Sequence, residues 1–387
     1  MKRCTGLEPS TCVRAILLAG LVFGLLLTQV RVGYAAALPD GRIPITGPVQ
    51  ITTPGSYVLT QNILTESNCI AINTDDVTIN LNGYRIKYGR NQITDLPRRP
   101  DGGSVDSTPG PRSYGIWDGS GAHRNIVIFD GTVEGFTDNI DLGHSSNVRV
   151  ENISAEGIAA RMNRPHPITV GDASIIRSCR VEDGQAVETA IRAGSDCQVL
   201  DNVVARTAGI GMIVGNGCRI AGNQIMSEAE DGIHGGRSCI IEHNVVVDVP
   251  DLGIVASDGS SVLHNVVTCT VGRRSGTGVS GGMFCQIRDN TVTEFREGIL
   301  GGDGAAVSDN AVNGSGFVGI SVSARAMVSR NIVTASNIGI QLGDFYVADQ
   351  NHCTGNLSYG IQCAGRPGTL RDNTFGQNGA DVGGCSR

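Results

Sequence analysis

The sequence predicts an all-β chain wound into a single-stranded right-handed parallel β-helix, a solenoid of about 12 coils of roughly 21 residues each. Three observations lead there. An apolar residue, two variable residues, Asn, a variable residue and an apolar residue recur in that order, as in Val199-Leu200-Asp201-Asn202-Val203-Val204. Copies centre on Asn223, Asn244, Asn265, Asn290, Asn310, Asn331, Asn351 and Asn373, at steps of 20 to 25 residues, with weaker ones earlier at Asn82, Asp130, Asn152 and Cys179. A second motif, Gly followed by an apolar residue, keeps step with the first at Gly209-Ile210, Gly232-Ile233, Gly253-Ile254, Gly278-Val279, Gly298-Ile299, Gly319-Ile320, Gly339-Ile340 and Gly360-Ile361. The apolar residues are mostly Val and Ile in short period-2 runs, which read as strands rather than helices.

Taken in order, residues 1–37 read as a secretory signal. Lys2, Arg3 and Arg14 give a basic start, Ala15 to Leu27 an apolar run, and Ala35-Ala36-Ala37 a small-residue cleavage site. The run is too short for a comfortable transmembrane span, so no stable membrane insertion is expected after cleavage. The mature chain is therefore expected outside the cell or in the periplasm. Residues 38–68 precede the regular coils and are expected to cap the open end of the stack. From Cys69 the pattern begins, and Asp76 to Gly83 reads as strand and corner. Residues 87–113, with Pro97, Pro100, Pro109 and Pro111 beside Gly102, Gly103 and Gly110, read as a long loop inserted between the first two coils. The β-helix is expected over 69–375, and 376–387 reads as a short irregular cap.

One coil cannot bury its apolar face alone, so neighbours must stack. The spacing of hydrogen-bonded strands sets them about 4.8 Å apart. Asn suits a sharp corner, because it tolerates left-handed backbone better than other residues with a Cβ. Stacked Asn amides can also hydrogen-bond along the column. The Asn residues are thus expected to shape the corner. Cys197, Cys218, Cys239 and Cys285 each sit five residues before a repeated Asn and share one inward column with Ser260, Ala305 and Ala326. Small buried side chains account for that column better than a soft-metal site. Cys363 and Cys385 are placed to form a disulfide in an oxidising compartment.

Cleavage after residue 37 removes four bases and one acid, and leaves 26 bases against 36 acids, a net charge of −10. Such a surface repels nucleic acid and acidic membranes. It also repels polyanionic sugars unless a cation mediates. The mature chain has a single lysine, Lys87, which argues against lysine chemistry.

The repeats resemble those of the pectate-lyase-like superfamily of right-handed β-helices. The opening, Thr53-Pro54-Gly55-Ser56-Tyr57-Val58-Leu59-Thr60, then Cys69-Ile70-Ala71-Ile72, then Val77 to Gly83, resembles the start of many secreted bacterial β-helix-repeat proteins. That group often carries a second Cys before the Pro-Gly turn. Thr46 to Thr53 has none, so the chain departs from the pattern there and the resemblance supplies no cap partner for a disulfide with Cys69. The superfamily includes pectate lyases, polygalacturonases, alginate lyases and epimerases, and rhamnogalacturonan-cleaving enzymes. Glu230-Asp231-Gly232-Ile233-His234-Gly235-Gly236 partly echoes the Gly-His-Gly of polygalacturonases, without their adjacent Asp pair or Arg-Ile-Lys. Arg164-Pro165-His166-Pro167 has Arg where mannuronan epimerases carry the Asp of Asp-Pro-His. Neither match transfers a mechanism.

In the Gly-apolar strand the apolar residue points inward and its successor outward. The outward column then reads Trp117, Asp141, Thr169, Arg192, Gly211, His234, Val255, Ser280, Leu300, Ser321, Gln341 and Gln362. Its first half carries chemistry and its second half is bland. The resemblance places a substrate groove on this face. The expected catalytic residues are Arg192, His234 and Asp231, with Arg192 as base or uronate partner and His234 as general acid or base. Trp117 would stack on a sugar, and Asp141, Glu188 and Glu230 would line the groove. Asp141 with Glu188, Glu230 or Asp231 would supply oxygen ligands if Ca²⁺ takes part. A solvated face of mixed polar residues is the bland alternative.

The leading functional expectation is a secreted carbohydrate-active β-helix acting on an acidic, uronate-containing polysaccharide by lyase, hydrolase or epimerase chemistry. The alternative is a non-catalytic glycan-binding or cell-surface β-helix, and the sequence leaves open whether the chain is an enzyme. A metal-site maturation role, like that of the β-helical maturation protein of nitrous oxide reductase, ranks last, because no His or Met cluster suits copper.

Overall fold

In a computed structural model the described residues are 37–89, 112–119, 121–156, 166–184, 188–226, 230–270 and 276–385. The expected signal falls outside them apart from Ala37, as do residues 90–111 of the expected loop and Arg164 and Pro165 of the Pro-His-Pro motif. The described residues form strands and turns only, paired in parallel into two long sheets. One sheet takes one strand from each coil and has fifteen, from Val49–Ile51 to Ala380–Gly383. The other has twenty-seven, two from most coils. The stack exceeds the expected dozen coils because Ile43–Thr65 and Ala380–Gly383 also pair as strands.

Burial follows from alternation. On the fifteen-stranded face Ile116, Ile140, Ile168, Ile191, Met212 and Ile233 stack inward in register, each fully shielded from solvent. Burying each such side chain contributes roughly 1.5–3 kcal/mol. The glycines beside them serve close approach. A Cβ on Gly232 would lie 2.3 Å from the Gly253 carbonyl oxygen and 2.7 Å from Val246 Cγ1. Only glycine lets this strand sit so near the opposite sheet.

The Asn column is a continuous amide ladder. Asn202 Nδ2 donates to Asn223 Oδ1 at 3.0 Å and to the Ile176 carbonyl at 3.0 Å, while its backbone N–H donates to the same Asn223 oxygen at 2.9 Å. The pattern repeats from coil to coil as far as Asn351 on Asn373. All members from Asn202 to Asn351 are buried. They are not the left-handed residues of the corner, as the sequence suggested. That geometry belongs to the preceding position, with φ of 54° at Asp201, 55° at His243 and 54° at His264. Asp130 and Asn152 sit in this left-handed column, while Cys179 holds the ladder position and donates its N–H to Asn202 Oδ1. The division is physical: a ladder amide must point along the axis inside the corner, and the residue before it makes the bend.

The cysteine column is buried as expected, and Cys197 N–H donates to Cys218 Sγ at 3.3 Å. Cys363 and Cys385 are joined by a disulfide. Cys69 is buried and unpaired.

Two substitutions separate ladder from bend. Asn244→Ala leaves the Asn223 backbone N–H without its acceptor and removes one bond from Asn223 Nδ2 and one from the Ile220 carbonyl, and should cost on the order of 2–4 kcal/mol. His243→Gly relieves a left-handed residue and should be neutral or stabilising by up to about 1 kcal/mol. Denaturant midpoints that leave Asn244→Ala at the wild-type value would contradict the ladder.

Candidate functional site

Strand pairing registers the outward column. Trp117 pairs with Asp141, Asp141 with Thr169, Thr169 with Arg192, Arg192 with Ile213, and Ile213 with His234. Val255, Ser280, Leu300, Ser321, Gln341 and Gln362 follow in order. One expected member is displaced. Gly211 does not occupy the gap between Arg192 and His234; Ile213 does. Gly209-Ile210 and Gly211-Met212 have the same parity, and a period-2 pattern cannot tell registers two residues apart. Met212 is the inward residue, and a Cβ on Gly211 would meet the Gly232 carbonyl at 2.7 Å.

Over the strands Asp138–Leu142, Ile168–Val170, Thr189–Ala193 and Ile210–Val214 lies a cleft of about 550 Å³. Its titratable lining is Arg112, Asp138, Asp141, His144, His166 and Arg192, with Thr169 between Asp141 and Arg192. Asp138 is buried on the fifteen-stranded face. It accepts the His166 backbone N–H at 3.1 Å and faces Arg112 Nη1 at 3.4 Å. Burial pushes its carboxyl up to about 6, against the opposing pull of those two partners. Burial also raises Asp141, whose Oδ1 accepts the Gly143 N–H at 3.3 Å, and the nearby Asp118 charge adds to the rise. His144 hangs from Asp118, donating its backbone N–H at 2.9 Å, with its ring largely exposed.

His166 is the least satisfied group. Its Nδ1 is buried without a hydrogen-bond partner among the described residues, and its Nε2 lies 3.9 Å from Glu188 Oε2. Burial lowers its pKa, the Glu188 charge opposes this, and the Arg192 charge adds to it. Arg192 is exposed and makes no ion pair with a described residue. The cleft therefore presents an uncommitted guanidinium beside an imidazole held neutral at neutral pH.

Of the residues expected from sequence, Arg192 and Asp141 line this cleft, and Glu188 stands beside it against His166. Trp117 lies one strand from Asp141 and stacks on Tyr114, ring centroids 5.1 Å apart. His234 and Asp231 lie elsewhere. His234 Nε2 is 3.0 Å from Asp231 Oδ2, off the line of a hydrogen bond, and the pair sits two strands below Arg192, roughly 9.6 Å along the stack. Glu230 is exposed in the turn before them. Asp141 and Asp231 are four strands apart, about 19 Å, so no single cation bridges them. Among the described residues no group of three His, Cys, Asp or Glu is placed to hold a metal.

Sequence reasoning passed over Arg112, Asp118, Asp138, His144 and His166. A signal for His166 was present in Pro165-His166-Pro167. Asp138 shows only as the polar start of a strand, and its burial depends on the neighbouring coils. Because its folded pKa lies above the ordinary 3.8, Asp138 contributes stability that is fully present below that value and lost as pH rises to about 6. Asp138→Asn should remove this dependence. The stability difference between wild type and variant should change by on the order of 1–3 kcal/mol between pH 4 and pH 6.5, and a difference that stays constant would contradict the buried carboxyl.

Comparison with known proteins agrees with the coil. Residues 114–272 match the family model described as right handed beta helix region, and residues 233–384 match the one described as periplasmic copper-binding protein (NosD). No curated protein matches the chain in sequence. Among solved structures, a periplasmic alginate epimerase, AlgG, aligns over 86% of this chain and 85% of its own at 13% identity and a TM-score of 0.45. The A-module of a mannuronan C-5 epimerase from Azotobacter vinelandii aligns over 86% and 91% at 14% identity and 0.35. A mannuronic acid specific polysaccharide family 6 lyase from human gut microbiota aligns over 85% and 76% at 10% identity and 0.39.

Among the described residues of 233–384 no cluster of His, Cys, Asp or Glu is placed to hold copper. His243 and His264 stack face to face, 4.9 Å between centroids and 5° between planes, so their nitrogens run side by side instead of converging. Cys239, Cys285 and Cys353 are buried, and burial pushes the Cys353 thiol up to about 12, away from the thiolate a metal needs. Cys363 is held in the disulfide. With its strands registered coil upon coil in parallel and residues 114–272 matching a model of the right-handed β-helix, the chain is a parallel β-helix.

Proposed function

We propose that the chain is an exported carbohydrate-active β-helix that binds an acidic, uronate-bearing polysaccharide in the cleft over residues 138–215 and transfers a proton on it. The observation that carries this reading is the unpaired Arg192 beside a neutral, incompletely hydrogen-bonded His166 in an open cleft. A uronate carboxylate meets Arg192, with Arg112 next to it. Pairing with a guanidinium acidifies the carbon–hydrogen bond beside the carboxylate. His166 exchanges a proton at Nε2, while Glu188 flanks that nitrogen and Asp138 holds the His166 backbone and Arg112 in place. If the electron pair released at that carbon expels the neighbouring glycosidic oxygen, which takes a proton from solvent, the outcome is elimination. If a proton returns from the opposite face, the outcome is epimerisation. Trp117, stacked on Tyr114, offers a sugar platform at one end. His234 and Asp231 lie outside this cleft, two strands further along the same face. Arg112 and Arg192 give a chain of net negative charge a local partner for a polyanion. Binding without turnover is the other reading, favoured by the bland outward column beyond Val255.

The test is incubation with polygalacturonate and alginate. Ultraviolet absorbance reads unsaturated ends, and proton NMR reads inverted sugars. His166→Ala should lower turnover about 10²–10⁴-fold. Arg192→Ala should weaken binding and turnover, and His234→Ala should change turnover far less. In the wild type the rate should fall as pH drops through the lowered pKa of His166 and hold level above it. Wild-type protein that leaves every uronate polymer unchanged, or His166→Ala at full rate, would overturn the catalytic reading.

A further inference from the structure

Along the corner that follows each strand of the fifteen-stranded face, one position is left-handed in coil after coil. Gly217, Gly259 and Gly304 occupy it with φ of 67–68°, as the geometry favours. Two members are phenylalanine: Phe284 at φ 57° and Phe345 at φ 54°. A bulky aromatic residue there is an outlier in backbone preference. Neither ring is buried, with Phe284 70% and Phe345 49% exposed. The Phe284 ring reaches over the next coil, where a Cβ on Gly304 would lie 2.6 Å from its Cδ1 and 2.7 Å from its Cε1, and the rest of the ring is open to solvent. Arg325 stands between the two at the same corner position, exposed, at φ 58° and without an ion pair to a described residue. The Arg366 guanidinium lies 5.7 Å from the Phe345 ring centroid.

Backbone hydrogen bonds register the column. Phe284 N–H donates to the Asp303 carbonyl, Gly304 N–H to Ala324, Arg325 N–H to Asp344, and Phe345 N–H to Arg366. The two rings are therefore three coils apart, about 14 Å. The cleft reaches the same corner at Gly215, and Phe284 lies another three coils, about 14 Å, further on. Aromatic faces and unpaired guanidiniums, in line with a cleft that carries an unpaired arginine, suit alternating contacts to sugar rings and carboxylates. Asp196, Ser238 and Arg325 share the left-handed position, and Phe284 stands between Gly259 and Gly304; a bulky ring retained there, exposed, argues that it is kept for binding.

We propose that Phe284, Arg325 and Phe345 form a ridge that holds the distal part of a long acidic polysaccharide leaving the cleft, the phenylalanines stacking on sugar rings and Arg325 meeting a carboxylate. The proposal rests on the cleft reading for its substrate class. Phe284→Gly with Phe345→Gly tests it, since glycine suits both backbones and should leave the melting temperature unchanged or raised. Affinity is measured for alginate and polygalacturonate, and for their trisaccharides, with wild type, the double variant and Arg192→Ala. The double variant should lose about five- to tenfold in polymer affinity and keep its trisaccharide affinity, because a trisaccharide in the cleft does not reach the ridge. Polymer binding lost in Arg192→Ala but intact in the double variant overturns the ridge and leaves the cleft standing. Polymer binding lost only in the double variant supports the ridge and overturns the cleft. A wild type that binds neither polymer overturns both. A double variant that changes only self-association of the chain makes the ridge an interface between copies and overturns the glycan assignment.

Discussion

The buried amide ladder is the constraint on which the rest of the structure depends. Each Asn oxygen accepts two N–H groups from the coil before it, and each Asn nitrogen reaches both the next coil and a carbonyl behind it. An amide so placed has every hydrogen-bonding site filled, and a buried amide missing a partner costs more than it would in water. The ladder therefore locks the register of neighbouring coils at one corner. Residues are added elsewhere. The long connections 89–113, 157–167 and 269–276 all precede a strand of the fifteen-stranded face. That corner lies off the ladder and tolerates insertion.

A stack this regular gives every coil the same outward position, and chemistry arises where its occupants change. Between Trp117 and Arg192 the face holds acids, arginines and imidazoles. From Val255 to Gln362 it holds neutral residues, including Gln341 Nε2 donating to Gln362 Oε1 at 3.3 Å. The scaffold is shared by both halves, so the cleft is a local departure in side chains and not in fold. The NosD-like match covers the neutral half, and the donors there stay apart or buried. The family resemblance in that half is carried by the coil itself.

Much of this was legible in the chain. Repeat length, the Asn column, the cysteine column and most of the outward column follow from spacing and alternation, which depend on the strand period alone. What spacing could not supply is the choice between registers of equal parity, and there Gly211 was exchanged for Ile213. Nor could it show that Asn is buried while the residue before it bends, since both lie at one corner. Asp138 and His166 escaped notice because their environment is built by other coils: Asp138 is perturbed by burial and by His166, twenty-eight residues away. Arg192 and Asp141 were visible because they sit on the registered column, while Arg112 enters from a connection with no repeat to read.

The central claim is that a uniform, ladder-registered stack presents one acidic-glycan site where its outward column departs from neutrality. Backbone hydrogen exchange, with and without an alginate trisaccharide, tests it most directly. The account predicts added protection in segments 112–119, 138–144, 166–170 and 188–194, and none in the strands from Thr277 to Gly383. Protection confined to those later coils, or spread along the twenty-seven-stranded face, would contradict it.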